Sequence, residues 1–157
     1  MDQLTLAAPS TVAQTLPVPS VLLGALEVPA EAIYTFPVGL YAYDAARGFA
    51  LVPAGREGLF WLQSLEDPAL VFLLVDPFLH RADYEADLPD ADLAPIGASG
   101  AANELAVLAI VTLPAERGGT PTANLRAPVV LNLHTRLGRQ VVMPGERWGV
   151  REGVVLG

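Results

Sequence analysis

Two apolar runs separated by a charged, proline-containing turn restrict this chain more than anything else in it. They are Leu59-Phe60-Trp61-Leu62 and Leu70-Val71-Phe72-Leu73-Leu74-Val75, with Glu66-Asp67-Pro68 between them and Asp76-Pro77 after. Short runs rich in β-branched and aromatic residues and bounded by turn formers read as strands, so this stretch predicts a β-hairpin close to the core. Proline has no N–H to give to a central ladder, and its fixed φ suits a turn. The two strands are therefore expected to stop at Pro68 and Pro77.

Other segments repeat the pattern of short strands at short spacing. Ser20 to Val28 predicts a first strand with Gly24 as a bulge, followed by Ile33-Tyr34-Thr35-Phe36 and Phe49 to Val52. Leu105 to Leu113 carries no charge and is expected to be a strand buried on both faces. Thr122 to Arg126, Val129 to Leu133 and Gln140 to Met143 complete the set, with Gly138 as the φ > 0 residue of the loop between the last two. Helix is scarce. Asp44 to Gly48 suits one turn ended by glycine, and Pro89 followed by Asp90 and Asp92 suits a helix start, with carboxylates against the positive end of the dipole. The expected fold is all-β: a small antiparallel β-barrel-like domain of short strands with one or two short helical turns.

At 157 residues the chain is the size of one domain and long enough to bury a core without staples. It has no cysteine, which excludes disulfides, thiolate metal sites and a cysteine nucleophile. Its longest apolar run, Leu105 to Val111, is far shorter than the ~20 residues that cross a bilayer as a helix. The first 26 residues contain no Lys or Arg and begin with Asp2, a poor match to a signal peptide. A soluble, cytoplasmic protein is expected, with no membrane partner.

The net charge is −8, which argues against direct binding of nucleic acid. The distribution is uneven: residues 1–116 hold 15 of the 17 acidic groups, whereas six of the nine arginines lie at or beyond Arg117. Such a field favours a cationic partner and raises its encounter rate.

Candidates for chemistry are few. His80 and His134 are far apart and in no metal-binding spacing. Asp83, Glu85 and Asp87 alternate and share one face if the segment is extended. As a calcium loop counted from Asp83 the segment fails, because Leu88 stands where glycine is needed and Ala94 where glutamate is needed. An acidic edge that blunts strand pairing or meets a basic partner fits better. Gly97-Ala98-Ser99-Gly100 matches neither a nucleophile elbow nor a phosphate loop. A carboxylate pair such as Asp76 and Glu104 at a barrel mouth is compatible with glycoside hydrolysis, although nothing singles it out.

Several blocks, in order, resemble the bacterial flagellar assembly factor family FliW. They are Phe36-Pro37-Val38-Gly39-Leu40, Phe49-Ala50-Leu51-Val52-Pro53, Phe60-Trp61-Leu62-Gln63-Ser64-Leu65 with Asp67-Pro68, Asp76-Pro77-Phe78, and Asp83-Tyr84-Glu85 with Asp87-Leu88. Thr122-Ala123-Asn124-Leu125-Arg126-Ala127-Pro128 running on to Asn132, and Gly138-Arg139-Gln140-Val141, complete the match. The chain departs from the family where Leu40 leads into Tyr41-Ala42-Tyr43 instead of Pro-Gly-Phe, and where Asp76 replaces the usual Asn before Pro-Phe, a change that still allows an Asx-type cap. On this alignment residues 1–17 form a flexible leader, 18–146 the FliW-like domain and 147–157 a short C-terminal tail.

The resemblance implies a monomeric barrel-like domain without catalytic activity or cofactor. It implies two partners, flagellin and the translational regulator CsrA, whose repression of flagellin mRNA the protein would relieve by a partner switch. The rivals are a flagellin chaperone that leaves the regulator alone and a small-molecule-binding or hydrolytic barrel. Partner contacts are expected at Asp76, Pro77 and Phe78, where the phenylalanine either faces solvent or fills the barrel end, and at Asp83, Glu85 and Asp87. Asn124 and Arg126 are divided between contact and structure.

Overall fold

The computed structural model describes residues 15–156. In chain order its strands are β1 (Thr15–Ser20), β2 (Gly24–Pro29), β3 (Ile33–Thr35), β4 (Gly48–Pro53), β5 (Leu59–Ser64), β6 (Val71–Val75), β7 (Leu105–Thr112), β8 (Thr122–Ala123), β9 (Val129–Asn132), β10 (Gly138–Gln140) and β11 (Glu152–Gly153). Two four-residue helices, α1 (Pro77–His80) and α2 (Asp90–Leu93), and two 3₁₀ turns at Ala30–Ala32 and Ala94–Ile96 complete the secondary structure. All strand pairs are antiparallel.

The hairpin of β5 and β6 forms as the apolar runs predict, with Leu59 opposite Val75 and Gln63 opposite Val71. Its turn is built by its own side chains. Ser64 Oγ accepts the N–H groups of Glu66 and Asp67, and Asp67 Oδ1 accepts that of Ala69. Gln63 is fully buried, and its Nε2 faces the carbonyl oxygens of Ser64, Asp67, Pro68 and Leu70 at 3.0–3.3 Å. The Leu-Gln-Ser block is thus a turn-building unit.

The main sheet runs β10-β9-β7-β6-β5-β4-β3, and β8 joins β7 to β11. Its two ends curl towards each other. Thr35 N donates to the Arg136 carbonyl at 2.9 Å, and Thr35 forms a single parallel bridge with Leu137. The result is barrel-like.

Because successive strand residues point to opposite faces, each strand serves two cores. One face gathers Tyr34, Phe36, Phe49, Leu62, Leu74, Leu108, Val129 and Leu131. Fully burying each of the larger of these side chains contributes about 1.5–3 kcal/mol. The opposite face is covered in three places. The β1–β2 hairpin lays Val18 and Val28 on Ala50. Ile96, from the 3₁₀ turn after α2, packs on Val130 and Val141. Tyr84, Trp148 and Val154 pack on Leu73, Val75, Ala109 and Val111.

Several expectations change in register. The predicted strand Ser20–Val28 is instead a turn and half of a hairpin, because Gly24 (φ 82°) reverses the chain and Leu23 N is capped by Ser20 Oγ. Pro17 and Pro19 are tolerated in β1 because β1 pairs with β2 alone. The expected leader boundary at residue 17 falls inside β1, and residues 1–14 lie outside the described residues. Asp44–Gly48 forms no helix, and Gly48 opens β4 with its N–H on the Glu66 carboxylate.

The helix start at Pro89 forms as expected, giving α2. Strand pairing after Thr122 ends at Ala123, since Asn124 Oδ1 accepts Ala127 N and turns the chain. The last hairpin is earlier than predicted. Asn132 Oδ1 accepts the N–H groups of His134 and Thr135, and Arg136 (φ 61°), not Gly138, takes the left-handed position. β10 therefore spans Gly138–Gln140, and residues 141–143 of the predicted strand lie beyond it.

The turn at Tyr41-Ala42 is closed by Tyr43 N donating to Leu40 O at 2.8 Å, with Ala42 at φ 68°. That is the position where a type II turn calls for glycine. Ala42→Gly is expected to raise unfolding stability by about 1 kcal/mol, since a Cβ is strained in the left-handed region. A higher urea midpoint at unchanged m-value checks it.

Candidate partner-binding surface

Beyond β6 the chain turns at Asp76, whose Oδ1 accepts the Phe78 N–H at 2.9 Å and so starts α1 with Pro77 in its first turn. The cap confirms that aspartate serves at a position where the resemblance expects asparagine. Such a short helix cannot hide its side chains. Phe78 is 46% exposed and Leu79 55% exposed, whereas Pro77 is buried. Gly58, which precedes β5 and faces Leu79, sits at φ 77°, a conformation that favours glycine.

The segment after α1 alternates as an extended chain should, with Asp83, Glu85 and Asp87 exposed and Tyr84 buried between them. Tyr84 anchors the row. Its hydroxyl donates to the Leu125 carbonyl at 2.8 Å, its ring meets Phe78 edge-on at 5.2 Å and lies 5.0 Å from Trp148. Burial pushes the Tyr84 hydroxyl pKa up to about 12, so it stays protonated and keeps donating.

Trp148 holds the row from the other side, with Nε1 donating to the Glu85 carbonyl at 3.2 Å. The Asp87 N–H reaches Met143 Sδ at 3.1 Å. Arg81 pairs with Asp83 and with Glu152, and Arg147 pairs with Glu85. Residues 147–152, expected to be a tail, thus brace this surface.

The structure brings together Asp76, Pro77, Phe78, Asp83, Glu85 and Asp87. Asn124 and Arg126 lie beneath, half-buried, with Asn124 Oδ1 on Ala127 N and Arg126 Nε donating to the Trp148 carbonyl at 2.9 Å. One side-chain polar atom of each is thus engaged within the chain. Leu79, Arg81, Arg147 and Trp148 belong to the same surface but did not stand out in the sequence. For Arg147 and Trp148 no local signal exists, because they reach Asp83 and Glu85 from more than 60 positions away.

The other candidates are occupied elsewhere. The Glu104 carboxylate is buried and accepts from Ser99 N, Ser99 Oγ and Gly100 N. The hydrogen bonds from Ser99 hold its pKa below the usual carboxylate range. Glu104 therefore organises the Gly97–Gly100 loop, and the Asp76 carboxylate caps α1. His134 is exposed and His80 half-buried, on separate elements, and no group of His, Asp and Glu among the described residues is arranged to hold a metal. No helix of the described residues is long and apolar enough to cross a membrane.

Comparison with known proteins places this fold. The FliW protein family model matches residues 18–154. The flagellar assembly factor FliW of Treponema pallidum (strain Nichols) is 41% identical over 133 residues, covering 85% of this chain and 87% of that protein. That of Treponema denticola is 36% identical over 133 residues, covering 85% and 89%. A crystal structure of the flagellar assembly factor FliW aligns with a TM-score of 0.79 at 29% identity, over 89% of this chain and 97% of that one. The Asp76 cap and the Gln63 turn lie inside the matched span, and the chain belongs to the FliW family of flagellar assembly factors.

Proposed function

We propose that this protein is a cytoplasmic, non-enzymatic partner switch that binds flagellin and the translational regulator CsrA. Bound to CsrA, it relieves repression of flagellin mRNA; bound to flagellin, it leaves CsrA free to repress. The observation that carries the reading is the Asp76–Asp87 surface, where exposed Phe78 and Leu79 lie beside three alternating carboxylates. An apolar anchor with a charged rim is the anatomy of a protein-docking site. The negative rim suits a regulator that must carry basic groups to grip RNA. Protein binding, not chemistry, also agrees with carboxylates that are spent on caps, loops and ion pairs.

Titrating the protein into a complex of CsrA with flagellin leader RNA tests this directly, with RNA release as the expected result. If RNA stays bound at every concentration and no ternary or binary complex forms, the regulator half of the reading fails. Flagellin binding without RNA release would leave a flagellin chaperone. The triple variant Asp83→Asn/Glu85→Gln/Asp87→Asn should associate with CsrA about tenfold more slowly at low salt and show a flatter salt dependence, since rim charges act chiefly on encounter. Stopped-flow association rates at two ionic strengths read it out.

A further inference from the structure

The acidic row is partly covered by the chain itself. Between Glu85, Asp87 and the segment 143–148 lies a cleft of about 440 Å³, lined by Met143, Pro144, Arg147 and the Trp148 side chain as well as by the two acidic residues. The Arg147 guanidinium forms one of its walls. Arg147 places its guanidinium carbon 4.7 Å from the centre of the Trp148 ring, its Nη1 donates to Glu85 Oε1 at 3.4 Å, and its Nη2 donates to the Asp83 carbonyl at 3.2 Å.

The frame of the cleft and its occupant differ in how firmly they are held. Trp148 is 7% exposed, its Nε1 is bonded to Glu85 O, and its carbonyl accepts Arg126 Nε. Asp87 is pinned by its N–H on Met143 Sδ. Arg81, 5.1 Å from the same ring, is held by both Asp83 and Glu152. Arg147 alone has a side chain 55% exposed and a single ion pair, to a Glu85 carboxylate that is itself 78% exposed. Exposed ion pairs and exposed cation–π contacts are weak, so displacing this cover costs little compared with disturbing the frame.

We infer that the cleft is a receptor for an arginine side chain of a docking partner, and that Arg147 is an intrachain stand-in which the partner's guanidinium displaces. A planar guanidinium can stack on the indole and address a carboxylate with two donors at once, which an ammonium cannot. The acidic excess of the chain supplies the long-range attraction. The inference rests on reading Asp76–Asp87 as a docking face and adds the chemical group that the face takes.

Blocked arginine, Nα-acetyl-arginine methylamide, is the probe, with blocked lysine beside it. The Trp148 indole N–H resonance, told from that of Trp61 by its contacts with Tyr84, reports binding by NMR. Wild-type protein should show a weak saturable shift with arginine and a weaker one with lysine. Arg147→Ala removes the cover and leaves the bonds of Trp148 to Glu85 and Arg126 in place, so it should bind arginine about tenfold tighter. Adding Glu85→Gln and Asp87→Asn to that variant should remove the gain. No saturable shift in Arg147→Ala, or equal affinity with and without the carboxylates, overturns the receptor. Affinity no tighter in Arg147→Ala than in wild type overturns the displacement. Because the probe is neither flagellin nor CsrA, a positive result stands even if both partner titrations fail.

Discussion

Gln63→Glu is expected to destabilise the fold by about 3–5 kcal/mol at neutral pH, enough to unfold most of a marginal domain. The buried Nε2 of Gln63 is surrounded by four backbone carbonyl oxygens, from Ser64, Asp67, Pro68 and Leu70. A carboxylate there has no donor to offer and sets negative charge against negative dipoles. It also has no exposure through which water can screen it. The folded-state pKa of the introduced acid must rise above its unfolded value, since the neutral acid is the form that can donate. A raised carboxyl pKa means that stability falls as pH climbs from about 4.3 towards the folded pKa, so the variant's deficit is smallest in mild acid. Chemical denaturation at pH 4.5 and pH 7.5 checks both the size and the sign. An equal deficit at the two pH values would mean that the carbonyl cluster does not sense the charge.

Gly138→Ala is the second large effect, at about 2–3 kcal/mol, and it arises from packing, not from backbone freedom. A Cβ on Gly138 would stand 2.6 Å from Phe36 Cζ and 2.9 Å from Leu131 Cδ2, inside the main core. Both neighbours are fully buried and close-packed, so neither gives way cheaply. Gly145 provides the contrast. It has φ 83° and nothing within 4 Å of a built Cβ, so Gly145→Ala pays only the backbone strain of about 1–2 kcal/mol. In a pair of urea titrations, replacing Phe36 by leucine should recover part of the Gly138→Ala loss and none of the Gly145→Ala loss. Failure of that rescue would remove the packing explanation.

The two glycines show where reading the sequence succeeds and where it stops. Gly138 stands inside an expected loop, and turn chemistry is the local rule that assigns it. The left-handed residue is instead Arg136, because Asn132 closes the turn two residues after β9 ends. The reason for glycine at 138 is a phenylalanine 102 positions earlier, and no local pattern reports that contact. The same holds at Gly24, where a bulge and a reversal are equally good local uses of positive φ. Only the pairing of Ser20 with Gly24, which lays Val18 and Val28 on Ala50, selects the hairpin.

The hairpin of β5 and β6, the helix start at Pro89 and the Asp76 cap were legible because each depends on neighbours in sequence. Period-two burial, proline's missing donor and a carboxylate two residues before a free N–H all act within a few positions. The surface after β6 was legible as a row of carboxylates and an aromatic expected to meet a partner, and illegible in how it is packed. Its exposure follows from the brevity of α1, and its order follows from the Trp148 ring, which tertiary folding brings to 5.0 Å from Tyr84 and 5.1 Å from Arg81.

By itself, then, the sequence determined the all-β class, the central hairpin with its charged, proline-containing turn, the acidic balance and the family. These rest on short-range periodicity, turn chemistry and composition. The tertiary structure alone decided that the sheet curls until Thr35 meets Leu137, that residues 147–152 brace the surface after α1, and that an arginine of the chain covers part of its own acidic row. Each of those depends on closure between residues more than 60 positions apart, where the gain comes from shared burial and paired charge and leaves no trace in local spacing.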